Sequence, residues 1–179
     1  MSALEVLRFW FDEIEPKQRF KKDSNFDALI RDRFGSTHEL AKQGLLYTWR
    51  EEPLDALAEV IVLDQFSRNM FRDSAEAFAY DSLALILAQE AIRRKLDKEL
   101  EIGHKAFLYL PFLHSESREI YEIALYLFDQ PSLEDNFNFE LKHKETIDRF
   151  GRYPHRNALL GRKSSAEEIE FLAQPGSGF

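Results

Sequence analysis

LDALAEVIVLDQFSRNMFR, residues 54–72, is the stretch whose reading decides the fold. Its run ALAEVIVL (56–63) puts apolar side chains on nearly every side of a helix. A helix that is apolar all round is packed on several faces at once. The spacing therefore predicts a buried helix over 54–71, with other elements wrapped about it.

Outward from this helix the pattern stays helical. Towards the N-terminus, Leu4, Leu7, Trp10, Phe11 and Ile14 recur at helical spacing over 2–13, with Ser2 placed to cap them. Pro16 marks a break. Ser24 opens a second helix, whose stripe is Phe26, Leu29, Ile30 and Phe34, and Gly35 is read as its stop. Ser36 to Glu39 reads as a capping box for a short helix ending near Gly44. Towards the C-terminus, Asp73 is read as the cap of a long helix over 74–95. Further helices are expected at about 104–113, with Pro111 in or ending it, and at about 116–129, 136–150 and 164–173. Ser165 to Glu168 is a second capping-box candidate, and GSGF forms a short tail. No run of alternating β-branched residues lies between turn signals. With 7 Gly and 6 Pro, turn material is scarce as well. The expectation is an all-α chain of about eight or nine stacked antiparallel helices, in one domain over 1–179. No 34-residue repeat and no linker is visible.

Composition narrows the class. Twenty-four aromatics among 179 residues argue against disorder. The absence of cysteine removes disulfides and thiolate zinc sites. No apolar run approaches the roughly 18 residues that span a bilayer, and the start lacks a signal-peptide pattern. A cytoplasmic protein that binds neither membrane nor nucleic acid is expected, because the net charge is −8. The charge is uneven. Residues 142–163 hold seven cations against Glu145 and Asp148, a local balance of +5, which leaves −13 on the remainder.

Three clusters could carry chemistry. In LDQFSRNMFR (63–72), Asp64, Arg68 and Arg72 share a helical face, and Gln65 and Asn69 form the adjacent row. A desolvated arginine there needs a carboxylate or several carbonyls. The plain reading pairs Asp64 with Arg68. In LPFLHSES (110–117), His114 and Glu116 are the weak catalytic candidates, as base or ligand and its partner. The alternatives are a satisfied core histidine and a Ser115 that merely caps the next helix. No metal-ligand spacing appears, and no cofactor is implied. In FGRYPHRNALLGR (150–162), Pro154 suits the first position of a helix of one or two turns, stopped by Gly161. Free backbone donors flanked by Arg152 and Arg156 would make an anion site, with His155 and Asn157 beside them. The competing reading has these arginines bind the protein's own acids. A solvated basic face is disfavoured because Phe150, Tyr153, Leu159 and Leu160 are interleaved.

WFDE (10–13), FKKDSNFDALIRDRFG (20–35), LDQFSRNMFR (63–72), FAYDSLAL (78–85), FLYLPFLHSE (107–116) and FGRYPHRNALLGR (150–162) together resemble the bacterial family called domain of unknown function 924. The resemblance runs over essentially the whole chain to Phe179. It implies a tetratricopeptide-like stack of helices and marks Asp64–Arg72, His114–Glu116 and Arg152–Asn157 as signature positions. The family pattern usually has proline after LDQF, where this chain has Ser67.

Three readings of function follow. The clusters converge on a pocket for a small phosphate or carboxylate, lined by Asp64, Arg68, Asn69, Arg72, Ser115, Arg152, His155, Arg156 and Asn157. Alternatively the chain is a helical-repeat-like module for a protein or peptide partner. In the third reading the clusters are an internal polar network that fixes helix packing.

Overall fold

Ser2 starts α1 (Ala3–Arg8) through a complete capping box: its hydroxyl accepts from Glu5 N, and the Glu5 carboxylate accepts from Ser2 N. α1 then widens into a π turn, Phe9–Glu13, which buries Phe9 and Trp10. The computed structural model describes residues 1–177, apart from the side chains of residues 135, 139 and 140. Gly178 and Phe179, the end of the expected tail, lie outside the described residues. Among the described residues the chain is all-α, without strands.

α2 (Ser24–Lys42) is capped by Asp23, whose carboxylate accepts from Asn25 N and Phe26 N. It runs straight through Gly35, so the expected stop there and the capping box at Ser36–Glu39 are corrected. The reason is the buried stripe Ile30, Phe34, Thr37, His38 and Ala41, which keeps helical spacing across the glycine. A glycine inside a helix costs only about 1 kcal/mol, less than that stripe gains by burial.

α3 (Pro53–Ile61), a π turn (Val62–Phe66) and α4 (Ser67–Met70) form one continuous rod, the buried helix expected at 54–71. Residues 57, 58, 60, 61, 62, 63 and 66 are all fully inaccessible. Counting this rod once, the described residues hold eight helices. α2 runs antiparallel to its second half: Asp27 meets Arg72, Phe34 meets Phe66, and His38 meets Ser67. α1 and α5 (Asp81–Arg93) also pack on α3. The expected long helix from Asp73 is corrected. Asp73 has φ +61, and a 3-10 turn, Ala75–Phe78, stands between it and α5, which begins only at Asp81. The aromatic core joins Phe9, Phe34 and Phe66 at centroid distances of 4.9 Å for Phe9–Phe34 and for Phe34–Phe66. Trp10 bridges edge-on to Phe66 and Phe107. Pairs of this kind add about 0.5–1.5 kcal/mol each beyond burial.

α6 (Ile102–His114) contains Pro111 as an interior residue. α7 (Arg118–Phe128) is capped by Ser117, not by Ser115, whose hydroxyl accepts from Ser117 N instead. α8 (Glu134–Phe150) ends at Gly151, whose φ of +67 is the left-handed C-cap that glycine adopts without strain. α7 and α8 are antiparallel: Arg118 donates to Asp148 O, and Lys144 pairs with Glu122 four residues further along α7. The helix expected after Pro154 is a single 3-10 turn, Pro154–Arg156. α9 (Ala166–Leu172) carries the Ser165–Glu168 capping box as expected. Contacts divide the chain into two compact units. The first comprises Met1–Arg72 and Glu76–Pro111; the second comprises Asp73–Ala75 and the chain from Phe112 on. Among the described residues no helix is long and apolar enough to cross a membrane.

Candidate functional site

In the first unit, the LDQFSRN rod carries a buried polar seam. Asp64, Gln65, Ser67 and Asn69 are all buried. Arg68 pairs with Asp64 at 3.2 Å, as the plain reading expected. It also reaches Asp81 on α5 at 3.0 Å, so one guanidinium ties two helices. Arg72 forks onto Asp27 of α2 at 2.5 and 2.7 Å, and Asn69 Nδ2 donates to the same carboxylate at 2.9 Å. Burial alone would raise the Asp27 carboxyl, but the bonds from Arg72 and Asn69 outweigh it and hold it below its ordinary value. Ser67 uses its hydroxyl. It donates to Leu63 O at 2.6 Å, so the 2.8 Å contact to His38 must be a bond from His38 Nε2–H to Ser67 Oγ. Burial pushes His38 down to about 4, which keeps it neutral at pH 7.

In the second unit, the segments around His114–Glu116 and Arg152–Asn157 come together. Glu116 accepts from Arg162 Nη1 at 2.5 Å and Nη2 at 3.0 Å, and from Tyr153 N at 2.8 Å. Burial raises its carboxyl, and Arg162 and Tyr153 more than offset that, so it stays ionised. Arg156, buried, donates to His114 O at 3.0 Å and lies 4.6 Å over the Tyr153 ring. Tyr153 OH donates to Leu113 O at 2.6 Å; Tyr121 OH therefore donates to Tyr153 OH at 2.7 Å. Arg152 forks onto Glu168 at 2.6 and 2.8 Å. Glu168 also accepts from Ser165 N, so one carboxylate caps α9 and holds the arginine. The Arg152 and Ser165 bonds take its carboxyl down to about 2 against the smaller effect of burial. Asn157 Nδ2 donates to Ser164 at 3.0 Å.

The chemistry of these networks follows from who already holds whom. A carboxylate held ionised by a guanidinium fork accepts hydrogen bonds and does not donate a proton, so Glu116 is built as a strut. His155 is pushed to about 4, by burial first and then by the neighbouring Arg156 and His143, so it adds no positive charge at pH 7. Among the described residues no group of three metal-ligating side chains occurs. In this network Arg162 Nε, a donor, and Asn157 Oδ1, an acceptor, are buried without a hydrogen-bond partner among the described residues. Leu160 is exposed, whereas Tyr153 is buried as expected. Sequence reading passed over Asp27, Asp81, Tyr153, Arg162 and Glu168 as site residues. A signal existed for Asp27, which lies on the buried stripe of its own helix with Ile30 and Phe34.

A family model described as bacterial protein of unknown function, DUF924, matches residues 6–176. The chain belongs to the DUF924 family. It is also similar to the solved structure of protein of unknown function ATU0120 from Agrobacterium tumefaciens. That similarity is 36% in sequence and covers 96% of each chain, with a TM-score of 0.89. No curated protein matches it. The DUF924 match takes in both networks, from Asp27 to Arg72 and from Glu116 to Glu168.

Proposed function

We propose that the chain is a non-enzymatic binding module for a protein or peptide partner, in which the signature polar motifs are internal struts. One observation carries this reading. Arg68, Arg72, Arg152 and Arg162 each fork onto or bridge carboxylates of the same unit, and Arg156 is spent on a carbonyl and a tyrosine ring. Guanidinium groups engaged in this way brace helices and hold no outside phosphate. In this reading each antiparallel pair, α2 with the second half of the rod in the first unit and α7 with α8 in the second, is a tetratricopeptide-like hairpin whose outer face meets the partner. The test has two arms. Arg162→Ala is expected to lower the unfolding midpoint, and an array of basic, acidic and apolar 12-residue peptides is expected to yield binders to the wild-type chain. An Arg162→Ala chain with unchanged stability, together with a blank array, overturns the reading.

The pocket for a small phosphate or carboxylate keeps one observation in its favour, the buried Arg162 Nε donor without a partner among the described residues. An anion oxygen there would raise the melting temperature in millimolar phosphate. A ligand at 100 times its dissociation constant adds about 2.7 kcal/mol.

A further inference from the structure

The second unit has an open groove of about 400 Å³ where α7 ends and α8 begins. That volume falls within the roughly 300–1,000 Å³ of ligand sites. Its lining includes Phe128, Phe137, Asp129, Glu134, Gln130 and Asn138. Phe128 is buried beneath it, and Phe137 is half-buried. Asp129 and Glu134 are exposed, and neither has an ion pair among the described residues. This sets them apart from Asp27, Asp64, Glu116 and Glu168, each of which is bound by an arginine.

We infer that this groove docks a lysine- or arginine-bearing extended peptide segment of a partner protein. The inference rests on the module reading above and names the partner's chemistry. Three features select that occupant. The half-buried Phe137 ring, set over the inaccessible Phe128, gives a cation an aromatic surface and its alkyl stem a place to pack. The two unmatched carboxylates supply charge complementarity at the rim, within a chain of net charge −8 that steers cations towards it. The side-chain amides of Gln130 and Asn138 can serve a peptide backbone. Gln130 Nε2 already donates to Leu127 O, which leaves its Oε1 to accept a peptide N–H. A free polyamine has no backbone carbonyl to meet the Asn138 amide. A divalent cation would need a third ligand, and no such group occurs among the described residues.

The experiment titrates the ¹⁵N-labelled full chain with amidated tetralysine and, separately, with spermine. Shifts with tetralysine are expected to concentrate at residues 128–138. Asp129→Asn with Glu134→Gln should weaken binding about tenfold, as should Phe137→Ala. The charge-matched pair Glu99→Gln with Glu101→Gln, both exposed in the first unit, should change it less than twofold. Shifts spread over the acidic surface, equal weakening by both charge-matched pairs, or spermine binding as tightly as tetralysine each overturn the inference. If tetralysine misses the groove while array peptides bind elsewhere, the groove assignment fails and the module reading stands. If no peptide binds at all, both fail.

Discussion

Replacing Glu116 by alanine tests the strut idea most directly. The carboxylate accepts three bonds, two from Arg162 and one from Tyr153 N. Breaking a buried ion pair by removing one partner costs about 3–5 kcal/mol. Glu116 and Arg162 keep side-chain exposures of 25% and 24%, so water recovers part of that loss. The Tyr153 N–H recovers less, because its residue is buried and an orphaned donor costs about 1–3 kcal/mol. The balance is a loss of about 2–3 kcal/mol. For a chain of this length that lowers the melting temperature by about 4–12 °C. Glu116→Gln retains an acceptor for Tyr153 and should lose about half as much. The assay is thermal and urea unfolding followed by circular dichroism at 222 nm, completed by the Glu116→Ala/Arg162→Ala double-mutant cycle. A coupling of about 0.5–3 kcal/mol is expected for groups in direct contact. A Glu116→Ala chain that melts with the wild type, or a cycle with no coupling, would refute the reasoning.

Stability should also fall with acid, in two stages. His38 and His155 have folded values of about 4 against the ordinary 6.5, so the unfolded chain binds more protons and stability declines as pH drops from about 6.5 to 4. His38→Gln should flatten that first slope in pH-dependent urea midpoints. Glu168, at about 2 against 4.5, contributes stability that is complete above pH 4.5 and lost as pH falls towards 2, and Glu168→Gln should shrink that second stage, to which the lowered Asp27 and Glu116 also contribute. Ser67→Ala leaves the buried His38 Nε2–H without its acceptor and should cost about 1–3 kcal/mol in the same assay. Gly151→Ala places a β-carbon at φ +67 and should cost about 1 kcal/mol, read as a lower melting temperature.

What the sequence made legible was local. The caps at Ser2 and Ser165 are pairs three residues apart, and both form as spaced. The buried rod at 54–71 announced itself by apolar density. One local sign misled because burial outranked it. Gly35 has the look of a stop, yet the stripe from Ile30 to Ala41 continues across it, and Thr37 and His38 belong to that stripe despite being polar. Pro154, by contrast, opens a helical turn as its position suggests; it is a single 3-10 turn, and Tyr153 and Arg156 on it donate to Leu113 O and His114 O.

The candidate site divides along the same line. Its arginines were legible as a cluster of cations in an acidic chain; their partners were not. Arg72 finds its carboxylate 45 residues away, Arg162 finds one 46 residues away, and Arg156 finds a carbonyl 42 away. Helical spacing carries no information at that range, so a stripe of guanidinium groups looks the same whether it awaits a ligand or closes on an internal acid. The physics separates the two cases. A buried arginine must be matched inside the fold, or the fold pays its desolvation. An exposed carboxylate carries no such debt and can stay unmatched in water. The dense, conspicuous motifs are therefore where internal matching is most demanded. Asp129 and Glu134, inconspicuous in the sequence and without an ion pair among the described residues, are exposed charges of the kind that can meet something outside the chain.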